Sequence, residues 1–362
     1  MKLGEEKVLL SIKDLKKHFP VGRQGLFKRG ARLRANDGLS FDIYRGETFG
    51  LVGESGSGKS TLGRTILQLY KPTSGEVIYY QNERECIPAY GELGEIGVDL
   101  SKLSPNEMRK YRKDLQIVFQ DPYSSLNPKM TVGELIEEGI KVNVGGSRVE
   151  RGRAVLQVMQ DCGLPKDAIH RYPHQFSGGQ RQRVAIARAL AVKPKFIVCD
   201  ECVSALDVSI QAQILNLLLD LKRKEGITYL FISHDLSVVR YLSDRICVMY
   251  LGKMVELGKT KEALERPLHP YTIALLSAIP TFKKRKYPQI ILNGQLPSPI
   301  SPPQGCPFHP RCFMAEKICE RIPVPMVEVD KGHFVACHFA QMPTEEKRRR
   351  AFLRAGEEES KE

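Results

Sequence analysis

Short apolar runs alternate with stretches of helical periodicity along much of the chain. The run Thr48–Val52 is followed at once by Gly53, a pattern typical of a buried strand that ends in a turn. Leu62, Ile66 and Leu69 then recur at helical spacing, and the proline that follows requires this helix to end. The pattern therefore predicts a strand, a glycine-rich loop and a helix in succession.

The same alternation returns in the second half of the chain. Phe196–Cys199 and Tyr229–Ile232 are apolar runs of strand length. The residues that form one helical face between them are Ile214, Leu217, Leu218 and Leu221. Alternation of this kind is typical of a mostly parallel sheet with helices on its faces, so the sequence predicts an α/β core.

Three segments depart from this pattern. Residues 81–113 are polar and irregular, which predicts an insertion or an exposed loop. Residues 122–176 contain prolines among helix-like stretches, and we interpret them as a helical subdomain set into the core. Beyond about residue 262 the frequent prolines predict little regular structure, and the charged residues 343–362 predict a frayed end.

The composition indicates a folded chain with no membrane span. Hydrophobic residues make up 42% of the 362 residues, enough for a buried core. No apolar run approaches the ~18 residues that cross a bilayer. The first residues lack the pattern of a signal peptide, so we expect a cytosolic protein.

The formal net charge is +13, and basic residues cluster at Lys28–Arg34, Lys283–Lys286 and Lys347–Arg350. Such clusters are either solvated faces or contacts for a partner of negative charge, such as nucleic acid or an anionic membrane surface. The chain has no RNA-binding signature and no zinc-finger spacing, so we expect no nucleic-acid partner.

A complete phosphate-binding pattern lies between the first predicted strand and helix. Its glycines leave the backbone N–H groups open to phosphate oxygens, and the helix adds the positive end of its dipole. Lys59 is predicted to contact the β- and γ-phosphates of ATP, and the Ser60 hydroxyl is predicted to bind Mg²⁺. An ordinary glycine-rich turn is the alternative interpretation. The predicted ATP contacts here are Gly53, Glu54, Ser55, Gly56, Ser57, Gly58, Lys59, Ser60 and Thr61.

An acidic pair ends the strand Phe196–Cys199. Asp200 and Glu201 follow it directly, at the strand end where ligands bind in α/β sheets. Asp200 is the predicted Mg²⁺ ligand, and Glu201 is the predicted general base that activates water. The alternative is that these are ordinary exposed acids at a strand end. A phosphate-binding loop in the same chain disfavours that interpretation.

The stretch Phe176–Gln180 resembles the signature sequence of ATP-binding-cassette (ABC) ATPases. Ser177, Gly178, Gly179 and Gln180 open a predicted helix, whose N-terminus is a second site for an anion. In the family, this site faces the γ-phosphate held by the partner subunit. The resemblance therefore implies a head-to-tail dimer of ATPase subunits with ATP at the interface.

Other motifs of the family follow in order. Gln120 resembles the glutamine that contacts Mg²⁺ and the attacking water, and His234 resembles the histidine that contacts the γ-phosphate. Asp207 ends a stretch similar to the loop that couples the two nucleotide sites. Phe19 lies where the family has an aromatic ring that stacks on adenine. Cys202 is a departure, since the family usually has proline there.

Three further stretches of the sequence are similar to the ATPase subunits of dipeptide and oligopeptide importers. They comprise residues 121–128, residues 171–175 and the stretch His269–Thr272 with Leu275–Ala278. These importers usually carry two different ATPase subunits, and this chain resembles the second of them, the F-type subunit. The resemblance implies a second, D-type ATPase subunit, two membrane permease subunits, an extracytoplasmic peptide-binding protein as an indirect partner, and a peripheral place on the cytoplasmic face of the membrane.

Four cysteines cluster near the end of the chain: Cys306, Cys312, Cys319 and Cys337. Their spacing alone leaves zinc, an iron–sulfur cluster and four free thiols open. The text around the first two resembles the iron–sulfur element of some peptide-importer ATPases, which implies a [4Fe–4S] cluster, with Zn²⁺ as the alternative. Because the cluster is far along the chain from the phosphate motifs, we expect a structural or docking role.

The resemblance implies a P-loop α/β core with an inserted helical subdomain, an N-terminal antiparallel β element and a small C-terminal cysteine-rich domain. The expected function is ATP hydrolysis that powers peptide import. Importers of other solutes such as nickel, and soluble ABC proteins, are the alternatives. The predicted divisions are 1–121 and 181–262 for the core, 122–180 for the helical part, 263–342 for the C-terminal region and 343–362 for a charged tail.

Overall fold

A computed structural model describes residues 7–22, 31–81, 97–280 and 289–359, with side chains up to residue 353. The strands are β1 (Val8–Val21), β2 (Ala31–Tyr44), β3 (Thr48–Val52), β4 (Ser74–Tyr79), β5 (Val98–Asp99), β6 (Leu115–Val118), β7 (Phe196–Asp200), β8 (Thr228–Ser233), β9 (Arg245–Tyr250), β10 (Lys253–Lys259), β11 (Val327–Asp330) and β12 (His333–Val335). The α-helices are α1 (Lys59–Ile66), α2 (Pro105–Met108), α3 (Pro122–Ser125), α4 (Val132–Asn143), α5 (Arg148–Asp161), α6 (Gly178–Leu190), α7 (Val208–Glu225), α8 (Leu236–Leu242), α9 (Thr260–Glu265), α10 (Pro270–Ala278), α11 (Lys317–Arg321) and α12 (Thr344–Glu359).

The larger sheet has the strand order β11-β12-β10-β9-β3-β8-β7-β6. Strand β3 is parallel to β8 and β9, and β7 is parallel to β6 and β8. Strands β10, β11 and β12 are joined by antiparallel pairs. Because β3, β6, β7 and β8 run in one direction, the residues that follow them meet at one edge of the sheet.

The second sheet is antiparallel and has the order β2-β1-β4-β5. Its apolar face packs on α1 and on the larger sheet, with Leu10, Leu62 and Phe49 fully buried in one cluster. The rings of Phe41 and Phe49 stack at 5.0 Å and join the two sheets. This is the antiparallel element near the N-terminus that the resemblance implies.

The strand predictions agree with the structure closely. The predicted strand Thr48–Val52 has the bounds of β3, and the other two predicted strands lie within β7 and β8. Helix α1 ends sooner than its apolar spacing suggested, since Leu69 lies beyond it and is 44% exposed. On α7, Ile214, Leu218 and Leu221 are buried and Leu217 is partly buried against the same cluster, as the apolar spacing predicted. Leu215 is buried as well.

Four α-helices, α3 to α6, lie between β6 and β7 in the described chain. Their apolar faces share one buried cluster, to which Ile136, Met159 and Val184 contribute. Residues 97–113, predicted as part of an irregular loop, contain short helical turns instead, because Leu100 and Met108 are buried against the core. Residues 82–96 of that prediction lie outside the described residues.

The expectation of little regular structure after residue 262 is wrong for several segments. Helix α10 forms because Pro270 occupies its first position, where no backbone donor is needed, and His269 caps it with a ring nitrogen 3.0 Å from the Tyr271 amide. Strand β12 joins the larger sheet next to β10. No described helix is long and apolar enough to cross a bilayer.

The prediction that the charged tail is frayed is also wrong, since Thr344–Glu359 is helical. Lys347, which the sequence grouped with a basic cluster, is fully buried and donates hydrogen bonds to the Leu268 and Ala340 carbonyls. The buried Glu256 carboxylate accepts hydrogen bonds from the backbone amides of Leu268 and His269, which directly precede α10. These contacts attach the tail to the start of α10. The cluster Lys283–Lys286 lies outside the described residues.

Candidate nucleotide site

The phosphate loop begins where β3 ends, and close backbone packing explains two of its glycines. A Cβ on Gly53 would lie 2.2 Å from the Met249 carbonyl oxygen, and one on Gly58 would lie 2.1 Å from that of Ala35. Both glycines also have positive φ, at 152° and 100°. Asn36 of β2 donates to the Gly58 carbonyl at 3.0 Å. The loop is therefore held by both sheets.

Lys59 opens α1 and turns back over the loop. Its Nζ donates to the carbonyls of Gly53 and Glu54 at 2.8 and 2.9 Å, and the residue is 4% exposed. Burial lowers the pKa of Lys59, while the nearby carboxylates of Glu201, Asp200 and Glu54 oppose that shift. The ammonium thus faces a ring of acceptors at the centre of the loop.

Ser60 and Asp200 meet as the sequence predicted. The Ser60 hydroxyl donates to Asp200 Oδ1 at 2.6 Å, and the carboxylate is 1% exposed. Arg64 donates to the other carboxylate oxygen at 3.2 Å, so the buried charge is compensated. The sequence reasoning missed Arg64. Its spacing of one helical turn from Ser60 places it on the same face of α1, and this was the available signal.

The three predicted catalytic side chains form one group. Gln120 Nε2 donates to Glu201 Oε2 at 3.0 Å, and His234 Nδ1 lies 3.5 Å from the same oxygen. These residues follow β6, β7 and β8, whose ends meet at one edge of the sheet. Glu201 has φ of 49°, and its amide donates to the Ile232 carbonyl at 3.1 Å. The backbone is therefore held in an uncommon conformation at this carboxylate.

Three of the signature residues, Ser177, Gly178 and Gln180, are exposed. Ser177 caps α6 by accepting from the Gln180 amide, and Gln180 Oε1 accepts from the Ser177 amide at 3.1 Å. Gly178 is exposed, whereas a Cβ on Gly179 would lie 2.3 Å from Ile210 Cγ2. Packing against α7 is thus one reason for a glycine here. Neither Ser177 nor Gln180 bonds to the phosphate loop in the described chain.

Asp207 and Phe19 have local contacts of their own. Asp207 caps α7, and its pKa is lowered by the hydrogen bond it accepts from the Ile210 amide. The Phe19 ring meets Tyr70 edge to face at 5.6 Å, with Lys17 Nζ 4.6 Å from its centroid. Stacking of Phe19 on adenine stays a prediction.

The cysteine-rich segment lies beside the phosphate loop, although the chain separates them widely. Arg311 Nη1 donates to Glu54 Oε2 at 2.8 Å, and Arg311 directly precedes Cys312. The Tyr271 hydroxyl accepts from the Glu54 amide at 2.9 Å. Distance along the chain was therefore a poor guide to position, and the sequence reasoning missed both residues. The stretch His269–Thr272, noted only as a family resemblance, was the available signal.

The clustered cysteines share one neighbourhood. The Cys306 amide donates to the Cys319 carbonyl at 2.8 Å. Burial raises the pKa of Cys306 to about 11 and that of Cys312 to about 12, and neighbouring thiols of the cluster contribute. Burial also raises the pKa of Cys337. Metal binding would require these thiols to lose their protons.

As placed in the structure, the side chains of the clustered cysteines do not form a set of metal ligands. In the parts of the chain that the structure describes, no group of three or more His, Cys, Asp or Glu side chains is placed to hold a metal ion. Two cysteine sulfurs do accept backbone hydrogen bonds, Cys312 from Met314 and Cys337 from Phe339, each at 3.4 Å. The local geometry therefore does not assemble the expected ligand set.

Comparisons with known proteins agree with the motifs. Residues 36–204 match the family "ABC transporter", and residues 255–319 match "Oligopeptide/dipeptide transporter, C-terminal region". The chain is 49% identical over 344 residues to the oligopeptide transport ATP-binding protein AppF of Bacillus subtilis, covering 93% of this chain and 99% of AppF. It is 48% identical over 338 residues to the oligopeptide transport ATP-binding protein OppF of Escherichia coli, covering 91% and 96%.

Solved structures give the same result for the fold. An ATP-binding cassette solved as a dimer in a post-hydrolysis state, bound to ADP and Pi, matches with a TM-score of 0.58 and 31% identity. The match covers 70% of this chain and 99% of that cassette.

Proposed function

Because the chain belongs to the ABC transporter family of ATP-binding proteins, we propose that it is the ATP-hydrolysing subunit of an importer of dipeptides and oligopeptides. The observation that carries the proposal is the meeting of Ser60 and Asp200 beside the group of Glu201, Gln120 and His234. Relatives of nearly the same length are named for oligopeptide transport, which favours peptides over nickel. A soluble ABC protein of another kind has no such support.

Each side chain of the site has a proposed role. Lys59 and the backbone N–H groups of residues 53–61 bind the phosphates of ATP. Ser60 and Asp200, with Gln120, would hold Mg²⁺, which would neutralise phosphate charge. The Ser60 hydroxyl and Asp200 Oδ1 already share a hydrogen bond at 2.6 Å, so these two oxygens are close enough to ligate one ion. Glu201 accepts a proton from the attacking water, and His234 contacts the γ-phosphate.

The exposed signature residues support a dimer. Ser177, Gly178 and Gln180 are exposed at the N-terminus of α6 and contribute no bond to the chain's own phosphate loop in the described structure. A helix N-terminus attracts anions, so a second ATPase subunit's nucleotide suits this surface. We propose a head-to-tail arrangement with a D-type subunit. ATP contacts both subunits only when they close, so its binding shifts the population toward closure.

The remaining partners follow from the proposed transport function. Two permease subunits in the membrane would receive the motion of the ATPase pair, and an extracytoplasmic binding protein would deliver peptide. The chain would then be peripheral on the cytoplasmic face of the membrane.

Residues 122–180 form the proposed helical subdomain between the core segments 1–121 and 181–262. Residues 263–342 form the proposed C-terminal region, and residues 343–362 form the tail.

Peptide transport is tested by uptake. We expect loss of this chain to abolish accumulation of a labelled oligopeptide in the native cell, and the wild-type chain to restore it. A Glu265→Gln variant, changed at an exposed position on α9, should restore uptake equally. Undiminished peptide uptake without the chain, or loss of nickel uptake instead, would contradict the peptide assignment.

For the cysteines we propose a [4Fe–4S] cluster, with Zn²⁺ as the alternative. The proposal rests on four clustered cysteines, two of them already accepting backbone N–H hydrogen bonds. The described side chains would have to reorient to ligate it.

Anaerobic purification tests this proposal. We expect iron and acid-labile sulfide in equal amounts and broad visible absorption that fades on reduction. Cys312→Ser should lose the iron, the sulfide and the absorption. Cys162→Ala, a buried cysteine outside the cluster, is the matched control and should retain the metal. Stoichiometric zinc without iron, or four titratable thiols without metal, would reject the cluster.

A further inference from the structure

The C-terminal region contacts the phosphate loop through the second residue of that loop. Arg311 Nη1 donates to Glu54 Oε2 at 2.8 Å, and the side chains are only 9% and 29% exposed. Bonds between charged groups at partly buried positions are stronger than exposed ion pairs. Glu54 therefore has its charge compensated by a residue 257 positions away along the chain.

A second contact fixes the backbone of the same residue. The Glu54 amide donates to the Tyr271 hydroxyl at 2.9 Å, and Tyr271 is fully buried on α10. Lys59 Nζ donates to the Glu54 carbonyl at 2.9 Å. The amide, the carbonyl and the carboxylate of Glu54 are thus all bonded, two of them by residues of the C-terminal region.

Tyr271, whose hydroxyl bonds to the Glu54 amide, packs among other aromatic rings. The rings of Tyr250, Tyr271 and Phe308 form a cluster with centroids 4.9 to 5.3 Å apart. Tyr250 ends β9, the parallel neighbour of β3, so the cluster connects the C-terminal region to the strand beside the one that carries the loop. Aromatic packing of this kind restricts side-chain motion.

Two further residues of the C-terminal region lie close to the loop and to β2. Leu296 Cδ2 is 3.6 Å from the position of a Cβ on Gly56, and the Pro299 carbonyl accepts from the Arg34 amide at 3.0 Å. The C-terminal region therefore meets the loop and the adjoining strand β2 at several points. Neither Leu296 nor Pro299 belongs to the nucleotide motifs.

We propose that Arg311 and Tyr271 are positioning residues for ATP binding, and that they act through Glu54. An unpaired carboxylate on the loop would repel the phosphates and compete for Lys59, whose ammonium it already influences. Arg311 neutralises this carboxylate, and Tyr271 keeps the backbone that displays the loop's N–H groups in place. This inference rests on the proposed ATP site and gives the C-terminal region a direct part in it.

The test is a set of substitutions in the full-length chain, read out by equilibrium binding of a fluorescent ATP analogue. Arg311→Met leaves Glu54 charged and unpaired, and we expect ATP to bind roughly fivefold to tenfold more weakly, with an effect that shrinks at high salt. Arg311→Lys keeps the charge and should recover most of the affinity. The double variant Glu54→Gln with Arg311→Met should bind as tightly as Glu54→Gln alone, because the carboxylate is gone. Arg321→Met, at an exposed arginine of α11, is the control and should match the wild type.

Tyr271→Phe tests the second contact without disturbing the ring packing. We expect ATP affinity to fall about twofold to fivefold, as loss of one hydrogen bond predicts, with little change in kcat of the assembled transporter. Wild-type affinity in both Arg311→Met and Tyr271→Phe would overturn the proposal. So would an undiminished loss in the double variant, which would mean that Arg311 acts through the fold. Failure of peptide uptake would affect the proposed cargo and leave this result unchanged.

Discussion

Glu201→Gln is expected to bind ATP normally and to hydrolyse it at least about 100-fold more slowly, the effect of removing a general base. The carboxylate oxygen bonded to Gln120 at 3.0 Å lies 3.5 Å from His234, so it is placed between the two other predicted catalytic groups. Glutamine has nearly the same shape but cannot accept the proton from water. Since ATP would persist at the interface, the variant should accumulate as a closed dimer with the partner ATPase.

Turnover and assembly measure this outcome. ATP hydrolysis is followed by phosphate release, and dimer formation by size-exclusion chromatography with and without ATP. Glu265→Gln is the matched control, since it makes the same chemical change on the surface of α9. Undiminished hydrolysis in Glu201→Gln would reject Glu201 as the base.

Lys59→Met should weaken ATP binding at least about tenfold and therefore slow hydrolysis when ATP is limiting. Lys59 is 4% exposed and its Nζ donates to two loop carbonyls, so the ammonium is held where the phosphates are predicted to lie. A charge-assisted hydrogen bond is worth about 1.5–3 kcal/mol, which predicts at least about tenfold weaker binding. Lys59→Arg should rescue little, because a guanidinium does not fit the space of an ammonium.

Binding of a fluorescent ATP analogue separates the two variants. Glu201→Gln should bind ATP as the wild type does and Lys59→Met should bind it at least about tenfold more weakly, whereas both should hydrolyse it more slowly. Lys166→Met, on an exposed turn, controls for the loss of one positive charge. Tight ATP binding by Lys59→Met would mean that the backbone amides suffice for the phosphates.

Local sequence predicted the elements whose residues are buried on both sides. Strand β3 was predicted to the residue, because a continuous apolar run bounded by glycine is what a central parallel strand requires. The same reasoning failed for α10 and α12. Helix α10 is stabilised by a proline at its first position. The charged helix α12 is attached to the rest of the fold by Lys347, which donates to two buried carbonyls. Neither condition is visible in the periodicity of a short segment.

The candidate site divides in the same way. Motif residues such as Ser60, Asp200 and Glu201 were named from their order and spacing, and the structure brings them together at one edge of the sheet. Arg64 and Arg311 were missed. Their roles depend on which carboxylate they meet, and a sequence does not give the partner of an arginine.

By itself the sequence determined the α/β class, the phosphate loop, the acidic pair at the end of β7 and the membership of the ABC family. These depend on contiguous residues, whose backbone chemistry and spacing act locally. Only the tertiary structure decided that the C-terminal region lies against the loop, with Arg311 on Glu54 and Tyr271 on its amide. Such contacts join residues more than 200 positions apart, and burial of charges and rings in three dimensions determines them.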